Sequence, residues 1–508
     1  MTAFFDPNQI RLISPELVLT ISAFLVLGLA TLKVPARQLW IPGLTVLACV
    51  ATLVALLAFP YQLGLKTLQT PPTMTVGFHG MFILDALSIF FKIIFLVSAI
   101  LTVLLSGRYL DEERAQTGEY YALILFAVVG MMFLASANDF VAIFVALETM
   151  ALSFYVLVGY LKVNRKSNEA ALKYFLLGSF STGILLYGIS LLYGTTGTTS
   201  LGRIGIAQAV MALRTGQGPL FLLGVILVTV ALGFKIAAVP FHMWVPDAYE
   251  GAPTPVTAFL STGSKAAAFV VLLRVFAVGL GRLGDHWVVL LAILSVASMT
   301  LGNVAAILQD NVKRMLAYSS IAHAGYALMG VIVIGLQGSL ATREWGEEAV
   351  ILYLFIYTFV NLGAFALVTL LRREQVVGDR VADFAGLARR APLPAFAMLV
   401  FMLSLAGIPA TAGFVGKYYL FGAAVRADYT WLAVVAVLNS AVSLYYYARV
   451  VVMMYMREPE SEARLAPSLG QRMAIGTCIA FTLFFGIFPE PILAFAHRSI
   501  LSLAPWVP

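Results

Sequence analysis

Apolar runs of about 20 residues recur from one end of this chain to the other, each long enough to cross a ~30 Å hydrocarbon core as a helix. In lipid every backbone N–H and C=O has to be paired internally, so a chain built from such runs folds as helices packed side by side. Of its 508 residues, 61% are hydrophobic and 11% are charged, whereas a soluble domain carries roughly 25% charged residues. The bilayer supplies most of the burial, so chain length does not count domains here. The first run starts after Pro15-Glu16 without a basic n-region or a small-residue cleavage site, and reads as a retained span. Cys49 and Cys478 both lie inside apolar runs and suggest no disulfide framework, metal site or haem attachment. The formal net charge of +7 is spread over loops, so membrane topology accounts for it better than nucleic-acid contact does.

Hydropathy and breakers predict an all-α, polytopic fold of fourteen spans. Their limits are near 16–32, 39–59, 83–106, 119–136, 140–161, 168–195, 219–245, 254–278, 286–308, 315–336, 349–371, 394–424, 430–455 and 471–497. Breakers include Asn138-Asp139 before the fifth span and the Arg389-Arg390-Ala391-Pro392 stretch before the twelfth. Loops after odd-numbered spans hold 16 of the 32 Lys and Arg residues, and loops after even-numbered spans with the two termini hold 8. The positive-inside rule then puts both termini outside the cytoplasm. No soluble domain interrupts the bundle. The connection 60–82 has the punctuation of a short hairpin, and "LGRIGIAQAVMALR" in 196–218 has the period of a helix lying along the interface.

The seventh span contains "ALGFKIAAVPFHMWVPDAYEGAPTP" (231–255) and the twelfth contains "SLAGIPATAGFVGKYYLF" (404–421). Both are apolar segments broken by Pro, with a Lys beside the break and aromatics around it. Being five spans apart, they would cross the membrane in opposite directions. This pattern points to an inverted repeat of spans 4–8 and 9–13, with discontinuous helices 7 and 12 facing a site near the midplane. The order differs, because Lys235 precedes Pro240 whereas Lys417 follows Pro409. The chain accordingly divides into an N-terminal three-helix segment (1–118), two antiparallel halves (119–278 and 279–455) and a C-terminal helix (456–508).

Five lysines, Lys92, Lys173, Lys235, Lys265 and Lys417, fall within spans. The fifth span, "DFVAIFVALETMALSFYVLVGY", also carries Glu148, roughly 12 Å from its start. Each intramembrane ion costs at least ~2.5–3.5 kcal/mol on insertion scales, so Glu148, Lys235, Lys265 and Lys417 need partners or internal water. A buried salt bridge that only fixes packing explains one such residue readily. It explains the set less well, since one acid does not neutralise three deep lysines. A lysine that gains and loses a carboxylate partner binds and releases a proton. Lys173, one turn into the sixth span, is placed to snorkel to the cytoplasmic face. Lys92 and Asp85, seven residues apart on one helix face, read as a structural pair. His242 at the helix break and His323 in "YSSIAHAGYAL" titrate near neutrality and suit proton transfer, though an intramembrane His also serves as a packing donor. Interrupted backbone at Pro240, Pro246, Gly251, Pro253 and Pro255, and again at Gly407, Pro409, Gly413 and Gly416, offers free N–H and C=O groups to water.

The segments "FKIAAVPFHMWVPDAYEGAPTPVTAFLSTGSKAAAF" and "GIPATAGFVGKYYLF" resemble the antiporter-like membrane subunits of complex I, the proton-pumping NADH:quinone oxidoreductase. The likeness covers essentially the whole chain. It is strongest to the N-type subunits, because Lys417 stands where the M type has a glutamate, Tyr249 stands where L and M types show a histidine, and the chain ends soon after the fourteenth span. The resemblance implies that Glu148 pairs with Lys235 in one half-channel, that Lys265 carries the proton along a central hydrated axis, and that Lys417 connects it to the opposite face. It also matches Lys173 to the family's lysine on the sixth helix, and His242 and His323 to polar positions near the axis. A non-redox, translocase-class role follows. FMN, iron–sulfur clusters, NADH and quinone would be bound by partner subunits, since two cysteines fall short of the about four ligands a cluster takes. Expected partners are neighbouring antiporter-like and small membrane subunits, the lateral helix of the L subunit, lipid and protons, with no nucleic acid, in a bacterial-type inner (plasma) membrane. A cation/proton antiporter subunit shares this architecture and is the nearest alternative. A structural subunit whose ion pairs only hold helices together is the other.

Overall fold

The computed structural model describes residues 7–32, 37–62, 75–115, 117–205, 216, 218–336, 340–372, 378–459 and 467–500. Among them, thirteen helices are long and apolar enough to cross a membrane. The first six spans are α1 (Ser14–Thr31), α2 (Arg37–Gln62), α3 (Ala86–Glu112), α4 (Gly118–Ser136), α5 (Phe140–Val158) and α6 (Arg165–Thr196). Breaker residues at their starts act as caps: the side chains of Asp85, Asp139 and Asn164 accept hydrogen bonds from Ser88 N, Val141 N and Lys166 N. Before α3, strands β1 (Thr75–Gly77) and β2 (Phe82–Leu84) pair antiparallel, Val76 opposite Ile83. The hairpin expected in 60–82 thus exists, displaced a few residues along the chain. The expected interfacial helix in 201–214 falls largely on 206–215, outside the described residues.

The seventh span departs from the expected 219–245. Helix α7 (Gly218–Ile236) stops three residues before Val239, and a short helix α8 (Trp244–Gly251) follows the non-helical segment 237–243. Ala237 takes a left-handed backbone, φ +67°. Its N–H donates to Phe234 O and the Ala238 N–H to Gly233 O, the pair of bonds that closes a Schellman C-terminus. The eighth span, α9 (Thr254–Gly279), carries two π turns, at Leu260–Ser264 and Arg274–Gly279. Next come α10 (Gly284–Ile307), α11 (Val312–Gly335) and α12 (Leu340–Leu371), the last starting nine residues earlier than expected.

The twelfth span is two helices, α13 (Pro392–Ala406) and α14 (Ala412–Arg426). It breaks as α7 does: Gly407 has φ +87°, its N–H donates to Ser404 O, and the Ile408 N–H reaches back to Leu403 O. Both helices end upstream of their proline, because the residues before Pro240 and Pro409 are driven out of the helical region. Helix α15 (Thr430–Met456) follows. The fourteenth span, expected at 471–497, ends earlier: α16 (Leu469–Ile487) stops before Pro489, and an amphipathic helix α17 (Glu490–Ile500) turns back to pack on α12 and α3.

Alternation of direction is visible in which ends meet. Lys166, at the start of α6, pairs with Glu250 at the end of α8, Arg314 at the start of α11 with the same Glu250, and Arg372 at the end of α12 with Glu113 at the end of α3. These termini therefore share one face, the one the sequence makes basic. At the opposite face Asn138, between α4 and α5, donates to Gly80 O in the hairpin, and Arg426 lies over the Trp345 ring at the start of α12. Between the faces, α9, α11 and α12 are almost wholly buried, whereas α1, α2 and α16 are peripheral. The expected Lys92–Asp85 pair is not formed. Lys92 instead contacts Glu16 of α1 at 2.6 Å, both fully buried and meeting as charges without the angles of a directed hydrogen bond. Asp85 receives both guanidinium nitrogens of Arg274, at 2.9 and 3.1 Å. A same-helix spacing of seven permitted the first pair, but Arg274, 189 residues away in sequence, binds the carboxylate from both ends and caps its charge more completely.

Candidate functional site

The deep charges expected from the sequence are carried by α5, α7, α9 and α14. Lys235, Lys265 and Lys417 are 6, 3 and 4% exposed, and Glu148 is half-buried on α5. The chain brings them together as a row of partly separated groups.

At one end, Glu148 and Lys235 are not in contact. The carboxylate accepts a 2.6 Å hydrogen bond from Thr182 Oγ1 on α6. Lys235 lies in the last turn of α7, beside the break, and its ammonium has no hydrogen-bond partner among the described residues. The rings of Phe234 and Tyr155 lie 5.7 and 6.0 Å from it. Glu148 is the carboxylate whose field reaches it. The break around Lys235 is fixed by aromatics: Trp244 stacks on Tyr174 at 4.4 Å and donates its indole N–H to Phe234 O. His242 lies half-buried in the break with Nδ1 unpartnered among the described residues.

Lys265 follows directly on the first π turn of α9. Such turns leave the helix ladder locally mismatched and recur at functional sites. Its ammonium donates to the backbone carbonyl and hydroxyl of Ser320 on α11, and Tyr249 reaches the same hydroxyl at 3.4 Å. One turn along α11, His323 stands between two phenols, Nδ1 against the Tyr353 hydroxyl and Nε2 against Tyr447 at 3.1 Å. Tyr447 also bonds Ser319. Both Lys265 and Lys417 lie within electrostatic range of this imidazole. A cavity of about 10 Å³ lined by His323, Tyr353, Tyr357, Ser404 and Lys417 joins the imidazole to the last lysine. That volume matches the space one water needs.

Lys417 resolves the difference in residue order between the two broken helices. Although it follows its break, its ammonium reaches back to donate to Leu405 O and Ala406 O at 2.9 and 3.0 Å, and to Ser440 Oγ at 2.9 Å. It thus sits on the negative, carbonyl end of α13, the same helix position from which Lys235 springs in α7. Glycine suits 407, where φ is positive and a Cβ would come within 2.8 Å of Lys417 Cδ and push on that side chain.

Lys173 stands apart from this row. It is 44% exposed at the basic face and pairs with Glu169 and Asp247 at 2.7 and 2.8 Å. Asp247 also receives Arg314 at 2.7 Å, and Glu250 receives Lys166 and Arg314. Burial alone would raise both carboxyls; the hydrogen bonds from these cations outweigh it and hold them below their ordinary values. The cluster frames an open cavity of about 160 Å³ beside α8.

Thr182, Ser320, Ser319, Tyr353, Tyr357 and Tyr447 were not legible as site residues. Hydroxyls are common in membrane helices, where most bond their own preceding turn, and no local pattern marks those that face an axis.

A family model described as NADH:quinone oxidoreductase/Mrp antiporter, transmembrane, matches residues 137–443. The chain is 44% identical over 498 residues to the NADH-quinone oxidoreductase subunit N of Trichlorobacter lovleyi, covering 98% of each chain. It is 48% identical over 433 residues to subunit N 2 of Solibacter usitatus, covering 85% of each. A chain of respiratory complex I from Thermus thermophilus, solved with bound aureothin, superposes with a TM-score of 0.77 at 34% identity, covering 94% of this chain and 98% of that one. A chain of the Mrp complex from Dietzia sp. shares the fold, with a TM-score of 0.81 at 22% identity and 98% coverage of both.

Proposed function

The chain belongs to the NADH:quinone oxidoreductase/Mrp antiporter transmembrane family, and from that membership we propose that it is the N-type proton-translocating membrane subunit of a proton-pumping NADH:quinone oxidoreductase. The observation that carries the reading is the row Glu148, Lys235, Lys265, His323 and Lys417 inside the membrane helices, its two end lysines beside helix breaks and all of its members but Lys235 bonded to hydroxyls. Such a row is costly as scaffolding, because the lysines outnumber the acid.

Glu148 and Lys235 form the first acid–base step. Since they are held apart, a shift of either helix changes how strongly the ammonium keeps its proton. Lys265 receives the proton on the central axis through Ser320, and water in the small cavity passes it between His323 and Lys417. Lys417 delivers it toward the opposite face. His242 supplies a further polar group at the break, and Lys173 acts with Asp247 at the basic face, which is cytoplasmic in a bacterial plasma membrane with both termini outside. The two halves, 119–278 and 279–455, act as inverted copies around this axis.

The subunit does no redox chemistry of its own. FMN, iron–sulfur clusters, NADH and quinone belong to partner subunits, and adjoining antiporter-like subunits, with a lateral helix from the L type, flank it in the membrane. The alternative is a subunit of a cation/proton antiporter, favoured by the Mrp fold. Purification through a tag on this chain separates the two: NADH-oxidising subunits and NADH:acceptor activity are expected in the eluate, while antiporter subunits alone would contradict the proposal.

A further inference from the structure

Glu148 and Lys235 are not in contact, and one residue within range of both, Tyr155, has no assigned task. Tyr155 lies seven residues after Glu148 on α5, and so on the same helix face. Its ring packs edge-on against Tyr174 and Phe175 at 4.7 and 5.6 Å. Its hydroxyl is buried with no hydrogen-bond partner among the described residues, as is the nearby Lys235 ammonium. Across from it α6 presents Gly178, where an added Cβ would lie 2.1 Å from the Tyr155 hydroxyl. One turn on, Thr182 Oγ1 lies 3.1 Å from Gly178 O and donates to Glu148 at 2.6 Å. The α6 surface is therefore cut away at Gly178 to admit the phenol oxygen, one helix turn from the threonine that holds the acid and with the Lys235 ammonium 6.0 Å from the phenol ring.

We propose that the hydroxyls of Tyr155 and Thr182 form the bridge by which a proton passes between Glu148 and Lys235, with Gly178 keeping room for it. This rests on the proton-translocating reading above. Lys235 has a flexible four-carbon stem, and its ammonium swings toward the phenol. One Nζ–H bond breaks as Oη–H forms on Tyr155. As the phenol closes onto Thr182 Oγ1, its own proton passes there, and the threonine's proton passes to the Glu148 carboxylate. The sum is neutral amine plus carboxylic acid, both hydroxyls are regenerated, and the reverse sequence restores ammonium and carboxylate. Neither hydroxyl needs to ionise.

A purely packing role makes the opposite forecast. Phenylalanine keeps every ring contact and removes an unpaired buried hydroxyl, which costs stability wherever it is unused. Packing alone therefore predicts that Tyr155→Phe is at least as stable as the parent and fully active.

The test is made on the whole complex in proteoliposomes. Tyr155→Phe is expected to assemble with unchanged melting temperature and unchanged NADH oxidation by an artificial acceptor, while proton pumping coupled to quinone reduction falls about ten-fold or more. Thr182→Val is expected to lower pumping likewise, with some loss of stability from the unpaired Glu148 carboxylate, and Thr182→Ser to restore both. Tyr155→Phe and Thr182→Val complexes that pump at the parent rate while Glu148→Gln is impaired would overturn the bridge and leave the function standing. Parent-like pumping in Glu148→Gln as well would overturn both.

Discussion

Lys92 and Lys235 are both lysines buried in membrane helices, and what separates them is contact. Lys92 touches Glu16 at 2.6 Å in full burial, whereas Lys235 has no direct partner among the described residues. Removing one member of a buried pair leaves an uncompensated charge, which costs on the order of 3–5 kcal/mol. Lys92→Met is therefore expected to lower the melting temperature and the yield of assembled complex, with Glu16→Gln/Lys92→Met recovering most of both. Lys235→Met removes no ion pair and is expected to leave assembly intact. A thermal melt and an assembly gel on these variants check the distinction. Sequence showed which lysines lie inside the membrane, because a charge in an apolar run is visible locally. It did not show their partners: Glu16 is 76 residues from Lys92, and Arg274 is 189 from Asp85. Pairing over such separations is decided by helix packing, which hydropathy does not encode.

At the scale of elements, the two broken helices close in the same way with different residues, Ala237 and Gly407 in the left-handed position. An L side chain there costs roughly 1–2 kcal/mol. Gly407→Ala adds that strain, partly offset by the ~0.4–1 kcal/mol gained from a stiffer unfolded chain, and pushes on Lys417 Cδ, so it is expected to lower stability by ~1 kcal/mol and to impair coupled activity. Ala237→Gly relieves the strain but frees the unfolded chain by ~0.4–1 kcal/mol, for a net gain of at most about 1.6 kcal/mol. Denaturation of the purified protein in detergent reads both. The prolines announced each break, and the correspondence of the two helices was legible from them. The place where each helix ends was not, because it is set by which carbonyls the turn can close on. Nor was the likeness of the two lysines, whose opposite order in sequence hides ammonium and side-chain root meeting the same end of a half-helix.

Across the whole molecule, the basic face is stitched by Asp247 and Glu250, which join α6, α8 and α11 through Lys166, Lys173 and Arg314. Both carboxyls sit below their ordinary values. A group lowered on folding contributes stability that is complete above its unfolded pKa, about 4 for a carboxyl, and lost as pH falls through the folded value. The joint is expected to hold from neutral pH down to about 4 and to loosen below it. Amide exchange in Trp244–Gly251 across that range, corrected for intrinsic rates, checks this, and Asp247→Asn is expected to loosen the joint already at neutral pH. The account turns, finally, on whether the buried row moves protons. Its most direct test is the proton-to-electron ratio of the intact complex in proteoliposomes carrying Glu148→Ala or Lys235→Met. The account predicts a fully assembled complex with a lowered ratio and slowed quinone reduction, and a normal ratio at a normal rate in both variants would contradict it.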